Sequence, residues 1–430
     1  MNYYKRTADA LLQDLLDAFG AVLIEGPKWC GKTTTASQLA NSILRMQDPS
    51  LREEYLVTAK TKPSILLKGD TPRLIDEWQD APMLWDAVRT TVDDRQIPGQ
   101  FILTGSNAVD KSQIHHSGAG RIARLRMLPM SLWESQESTG EVSLKELFNN
   151  PDYDIDGKMS KMTVEDLIFA ASRGGWPASL LARTPKAQLL VAKNYVQTIC
   201  SDDVSGIDGK KRDAKLTSMI LRAYARNVST LVKKKSLLDD VTSSGEVSCH
   251  VDTFDDYVSA LEKLFVIQNI SAWCPAIRSK TAIRSSVKRC FCDPSIPIAL
   301  LGLSPESLSM QLRTFGFIFE QMCIRDLKAY TIDLNSHVSY YHDRYDLEAD
   351  IVLHLEDGRY ALIECKLGSS EIDEGAKHLL ELKRLIQEHN KTEKQVPIRE
   401  PDLLIVMTGG TMAYSRPDGV KVIPLACLKD

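Results

Sequence analysis

Near the start of the chain, Gly26-Pro27-Lys28-Trp29-Cys30-Gly31-Lys32-Thr33 follows the pattern Gly, four residues, Gly-Lys-Thr. A loop of this spacing turns successive backbone N–H groups, and the N-terminus of the helix that follows, toward phosphate oxygens. The expected ligand is ATP with Mg²⁺. Gly26, Pro27, Lys28, Trp29, Cys30, Gly31, Lys32, Thr33 and Thr34 would form the cradle. Within it, Lys32 would reach the β- and γ-phosphates and the Thr33 hydroxyl would ligate the metal. Downstream, Asp76-Glu77 supplies two adjacent carboxylates, Asp76 for the magnesium ion and Glu77 to activate the attacking water. Ser106 or Asn107, at the end of another apolar run, would sense the γ-phosphate or orient that water.

These groups work only if sheet and helix hold them. Ala21-Val22-Leu23-Ile24 is a short β-branched run entering the loop, and Thr33 to Ala40 reads as the helix leaving it. Arg73 to Ile75 and Gln100 to Leu103 read as further strands, so that Asp76-Glu77 and Thr104 to Asn107 fall at C-terminal strand ends. That is the ligand edge of an open α/β sheet.

With these motifs in place, the chain resembles prokaryotic AAA+ family P-loop ATPases. The likeness lies in Leu74 to Pro82 (LIDE-x-Q-x-x-P), Leu103-Thr104-Gly105-Ser106, Gly120-Arg121, Leu128-Pro129-Met130-Ser131 and Gly174-Gly175-Trp176-Pro177. It implies a parallel-sheet core and a homo-oligomer in which a neighbour's arginine, Arg121 or Arg124, completes the site. His115-His116 before them reads as a mobile, solvated loop.

Beyond the core, Glu134 to Cys200 reads as a helical lid, with Gly174 to Pro177 as a turn packed by Trp176. Lys210, Lys211, Arg212, Lys215, Arg222, Arg226, Lys233, Lys234 and Lys235 then form a basic island with only Asp213 in local opposition. The island overlaps a helix from Leu216 to Arg226, followed by a helix carrying Leu237 and Leu238 and an amphipathic helix with Phe254, Tyr257, Val258, Leu261 and Leu264. A strand from Phe265 that returns through Ile270 to Trp273 completes the order of a winged helix-turn-helix. The partner expected there is DNA or a protein. Asp252, Asp255, Asp256 and Glu262 on the third helix speak against a phosphate backbone.

After a turn at Asp293-Pro294, a helix from Ser309 to Lys328 carries Glu320. Glu348 to Leu355 and Tyr360 to Lys366 form a hairpin around Asp357-Gly358. Asp350, Glu364 and Lys366 on this hairpin resemble the PD-(D/E)xK nuclease fold. The resemblance implies a metal held by Asp350, Glu364 and Glu320, with Lys366 beside the attacking water. A three-residue loop ending in a left-handed Gly358 pairs Ile351 with Ile363 and sets Asp350 against Glu364.

The whole reads as an α/β multidomain chain. Residues 1–135 form the ATPase core, 136–205 the lid, 206–290 the winged helix and 291–430 the restriction-endonuclease-like domain. A length of 430 residues exceeds one ordinary core, and the net charge of −4 excludes a globally basic nucleic-acid coat. No apolar run approaches the ~20 residues of a membrane span. Nine cysteines without paired spacing fit thiols in a reducing cytoplasm, the expected location.

Overall fold

The computed structural model describes residues 3–108, 114, 116–243, 245–274, 286–343, 345–392 and 397–430; His115 lies outside them. Five strands form the first sheet: β1 (Ala21–Glu25), β2 (Ser42–Arg45), β3 (Arg73–Asp76), β4 (Phe101–Gly105) and β5 (Ile122–Arg126). They run in the order β2-β3-β4-β1-β5, all parallel. Central parallel strands are covered on both faces, which is why β1 and β4 have every residue buried and are apolar from Ala21 to Ile24 and from Phe101 to Leu103. One face packs Leu23, Ile75, Phe101 and Leu103 against Trp85 and Val88 of the helix Met83–Arg95. The other packs Val22, Ile24, Leu74 and Ile102 against Leu12 and Leu16 of the helix Ala8–Ala18.

Helices dominate the middle, including Val164–Arg173, Pro185–Thr198, Ala214–Arg226, Lys234–Thr242 and Val251–Lys263. The expected basic island is largely neutralised in space. Lys210 and Arg212 pair with Asp256, Arg212 also with Asp208, Lys215 with Glu246, Arg226 with Asp240 and Lys234 with Asp255. Asp208 and Asp240 flank the island in sequence, whereas Asp255 and Asp256 arrive from a later helix, which local sequence could not place. The expected return of the strand through Ile270 to Trp273 is corrected as well. Ile267 and Ile270 bridge antiparallel to Phe291 and Lys288, so the returning arm holds Cys290 and Cys292 instead. No tight-turn residues separate Ile267 from Ile270, which leaves both on one arm.

The turn expected at Asp293-Pro294 is present, with Asp293 fully buried, and leads into the helix Ser295–Leu300; the helix expected at Ser309 to Lys328 runs from Leu312 to Tyr330, Ser309 instead ending a separate short helix, Pro305–Ser309. After a short pair strand β6 (Val142–Ser143), the second sheet is built from β7 (His337–His342), β8 (Glu348–His354), β9 (Tyr360–Lys366), β10 (Leu403–Thr408), β11 (Tyr414–Ser415) and β12 (Lys421–Pro424). Its order is β11-β12-β10-β9-β8-β7. The β8/β9 register is the expected one, Ile351 opposite Ile363 and Val352 opposite Leu362, with Gly358 at φ 87°. Helix Leu312–Tyr330 packs on this sheet, and helix Ile372–Thr392 buries Ala376, Leu379 and Leu382 against Val352, Leu362 and Val406. A last strand, β13 (Leu428–Lys429), runs parallel to β6.

Trp176 forms the expected packed turn. It is fully buried, its ring centroid is 4.2 Å from that of Tyr195, and its indole N–H donates to Ser295 Oγ at 3.0 Å. Gly175 is required there, because a Cβ would stand 2.1 Å from the Met130 carbonyl oxygen.

Candidate active site

The loop between β1 and the helix Lys32–Leu39 is a closed cradle. Gly31 has φ 103°, a conformation that disfavours a side chain, and a Cβ on Gly26 would meet the Met127 carbonyl oxygen at 2.2 Å. Lys32 is buried and its ammonium donates to the carbonyl oxygens of Gly26 at 3.0 Å and Pro27 at 2.8 Å, inside the loop where phosphate would lie. Thr33 Oγ1 and Thr104 Oγ1 donate to the same oxygen, Asp76 Oδ1, at 2.7 and 2.6 Å. A hydroxyl already touching a strand-end carboxylate fits the hard, oxygen-seeking Mg²⁺.

Glu77 follows in the left-handed region at φ 55°, which turns its side chain away from Asp76 and over the loop. Its Oε2 accepts hydrogen bonds from Ser106 Oγ at 3.1 Å and from the Gln79 amide. Glu77, Gln79, Ser106 and Asn107 line one wall of a cavity of about 620 Å³; Lys28 and Trp29 line another, and residues 206–209 close it from the helical region. Asn107 Oδ1 is buried there with no hydrogen-bond partner. Lys28, expected on phosphate, donates to Asp203 at 2.6 Å, and the half-exposed Trp29 has its ring 6.1 Å from that of Tyr195.

Sequence reasoning missed a support beneath the loop. Arg6 is buried and donates to Glu134 Oε1 at 2.9 Å, the Cys30 carbonyl at 2.7 Å and the Leu128 carbonyl at 2.7 Å. Burial would push the Glu134 carboxyl up, but the guanidinium outweighs it and holds the carboxyl below its ordinary range. Glu134 also accepts from Thr7 and from Ser131 of the Leu-Pro-Met-Ser segment.

The two expected trans-acting arginines have partners within the chain. Arg121 donates to Asp93 at 2.7 Å; Arg124 approaches Glu25 at 3.4 Å and lies 5.6 Å over the Trp85 ring. Both remain nearly half exposed, at 47% and 43% of their side chains.

In the second sheet, Glu364 is fully buried. Lys366 Nζ stands 3.1 Å from its Oε2, and His378 Nδ1 3.8 Å from its Oε1, with no hydrogen bond formed to either oxygen. Burial, with Asp350 adding to it, pushes the Glu364 carboxyl up to about 9. Asp350 Oδ2 accepts from the Cys365 N–H at 2.8 Å. Glu320 differs from expectation. It is bound by Lys288, a buried ammonium that sequence reasoning did not single out, which also donates to the Asp350 carbonyl at 2.9 Å and lies 3.8 Å from Asp350 Oδ1. Among the described residues, no three His, Cys, Asp or Glu side chains stand together as a metal-binding group. The orphaned Glu364 oxygens invite a cation. The cationic side chains already seated in the cluster outweigh them, so the residues do not fit a resident metal.

Comparison with known proteins agrees with the first sheet. Residues 18–136 match the model of an AAA domain, so the chain carries an AAA-type P-loop ATPase domain. Residues 164–307 and 315–428 match two domains of unknown function, DUF8612 and DUF4143. Uncharacterized proteins of Mycobacterium bovis and Mycobacterium tuberculosis are each 24% identical over 366 residues, 83% of this chain and 72% of theirs. A Walker-type ATPase of Pyrococcus abyssi aligns at 12% identity over 70% of this chain and 96% of its own, with a TM-score of 0.41. Among the described residues no helix is long and apolar enough to cross a membrane.

Proposed function

We propose that this chain is a Mg²⁺-dependent ATP hydrolase whose nucleotide site drives its helical and C-terminal parts. The observation that carries the reading is the pairing of Thr33 with Asp76 beside a Glu77 carboxylate held by Ser106 and Gln79. Lys32 exchanges its two loop carbonyls for phosphate oxygens and neutralises charge on the transferring group. Glu77 accepts a proton as water oxygen bonds to the γ-phosphorus and the bond to the β-bridging oxygen breaks. Mg²⁺, held through Thr33 and Asp76, supplies further neutralisation at the phosphates. Arg121 or Arg124 from a second copy completes the site in a homo-oligomer.

Three contacts support coupling. Lys28 reaches Asp203, Ala108 N–H donates to the Lys263 carbonyl at 2.9 Å, and Arg126 lies 5.0 Å over the Phe265 ring. Motion of the loop or of the strand ends that face the γ-phosphate therefore pulls on the helices and on the hairpin that follows them. The three-helix and hairpin unit is read as a winged helix, and the C-terminal sheet as a nuclease-like domain. The ion pairs within the basic island favour a protein over DNA as the winged unit's partner, because among the described residues only Lys211, Arg222, Lys233 and Lys235 of the island form no ion pair.

The test is ATP turnover by the full chain in Mg²⁺, with and without supercoiled, linear and branched DNA, while DNA integrity is followed. Turnover lost in Lys32→Ala supports the reading, and absence of any Lys32-dependent turnover in the wild-type oligomer, with or without DNA, would overturn it.

A further inference from the structure

The carboxylates Glu320, Asp350 and Glu364 come from one helix and two neighbouring strands, with Asp350 acting electrostatically on both of the others. Each already has an ammonium beside it. Lys366 Nζ is 3.1 Å from Glu364, while Lys288 binds Glu320 and spans to Asp350, whose Oδ1 is 3.8 Å away and whose carbonyl oxygen is 2.9 Å away. Only 7% of the Lys288 side chain is exposed. Its ammonium lies 5.7 Å over the Tyr340 ring, and the Tyr340 hydroxyl donates to the Ser286 carbonyl on the same arm. A Mg²⁺ or Mn²⁺ needs about six oxygen ligands at close range, and Lys288 stands between two of those on offer.

We propose that Lys288 is a built-in cation that substitutes for a divalent ion between Glu320 and Asp350, making the C-terminal carboxylate cluster a metal-free site. The lysine is delivered by the returning arm of the hairpin, where it bridges to Ile270. Its stem runs from the helical region into the second sheet, so one side chain both neutralises the cluster and fastens the two parts together. Burial alone would depress the ammonium's proton affinity, but Glu320 and Asp350 outweigh burial and keep it charged. A tethered cation is present at the cluster at high effective concentration, against which a free ion competes poorly. The proposal does not depend on the ATP-hydrolase reading, and its test uses no nucleotide.

The experiment is a Mn²⁺ titration of the full chain without nucleotide, followed by the loss of the free Mn²⁺ electron paramagnetic resonance signal and by calorimetry. Wild type and Asp350→Asn should bind Mn²⁺ equally at micromolar to millimolar concentrations. Lys288→Met should gain one site with at least tenfold tighter apparent binding, and adding Asp350→Asn should remove it. Wild-type binding that Asp350→Asn abolishes would overturn the proposal, as would a folded Lys288→Met that gains no site. Should Lys288→Met not fold, Lys288→Met with Glu320→Gln removes both members of the pair together, and the wild-type comparison with Asp350→Asn decides by itself.

Discussion

Arg6 and Glu134 form a buried ion pair of 2.9 Å beneath the phosphate loop, and the same guanidinium holds the carbonyl of Cys30 within that loop. Removing one partner strands the other as an uncompensated buried charge, an effect of about 3–5 kcal/mol. Arg6→Met should therefore lower stability to denaturant by about that amount and weaken nucleotide binding. Denaturant titration and calorimetry with ATP check both.

Lys32 and Glu77 divide the chemistry, since Lys32 acts on phosphate charge in ground and transition states whereas Glu77 acts on water alone. Lys32→Ala should lose nucleotide binding. Glu77→Gln should keep binding within a few-fold and lose about 10²–10⁴ in turnover. Wild-type turnover in Glu77→Gln would remove the carboxylate from the mechanism.

If Arg121 or Arg124 serves a neighbouring site, mixing the corresponding Arg→Ala chain with Lys32→Ala chain restores activity, because an intact site then meets an intact arginine. The mixture should exceed the sum of its parts severalfold. No gain for either arginine, in a preparation shown to contain mixed oligomers, would mean that each site is complete within one chain.

Glu364 gives a pH dependence with a definite sign. Burial raises its carboxyl from 4.5 to about 9, so the folded state favours the protonated form. The stability it contributes is complete below about 4.5 and is lost as pH rises toward 9. In metal-free buffer, Glu364→Gln should melt about 2–4 °C higher than wild type at pH 8 and show a flatter decline between pH 6 and 9. Parallel melting curves for the two proteins across that range would contradict the shift.

The parts of this molecule that sequence reveals are those dictated locally. β1 and β4 are legible because strands covered on both faces need an apolar run, here Ala21 to Ile24 and Phe101 to Leu103. The β8/β9 register is legible because Gly358 fixes the turn and a one-residue slip would put Ile351 and Ile363 on the wrong face. Lys288 was not legible, since it meets Glu320 across 32 residues and Asp350 across 62, and nothing in its neighbours Val287 and Arg289 points to those carboxylates. Arg6 meets Glu134 across 128 residues and Lys28 meets Asp203 across 175, so neither pair leaves a mark in its own neighbourhood. The basic island misled in part for the same reason, because Asp255 and Asp256 arrive from a later helix, although Asp208 and Asp240 flank it in sequence.

The pairing of β6 with β13 bears on how the molecule is made. Ser138 Oγ donates to the Leu428 carbonyl across 290 residues, and Val142 lies beside Leu428. At about 5–20 residues per second, a ribosome needs about 15–60 s to deliver the second strand after the first. The phosphate-loop sheet closes from residues 21–126 alone and can form during that interval. Residues 138–143 must wait with unpaired backbone groups, a template for strand addition by another nascent chain. The two ends of this contact set a vectorial order of assembly, with the nucleotide site early and the C-terminal sheet last.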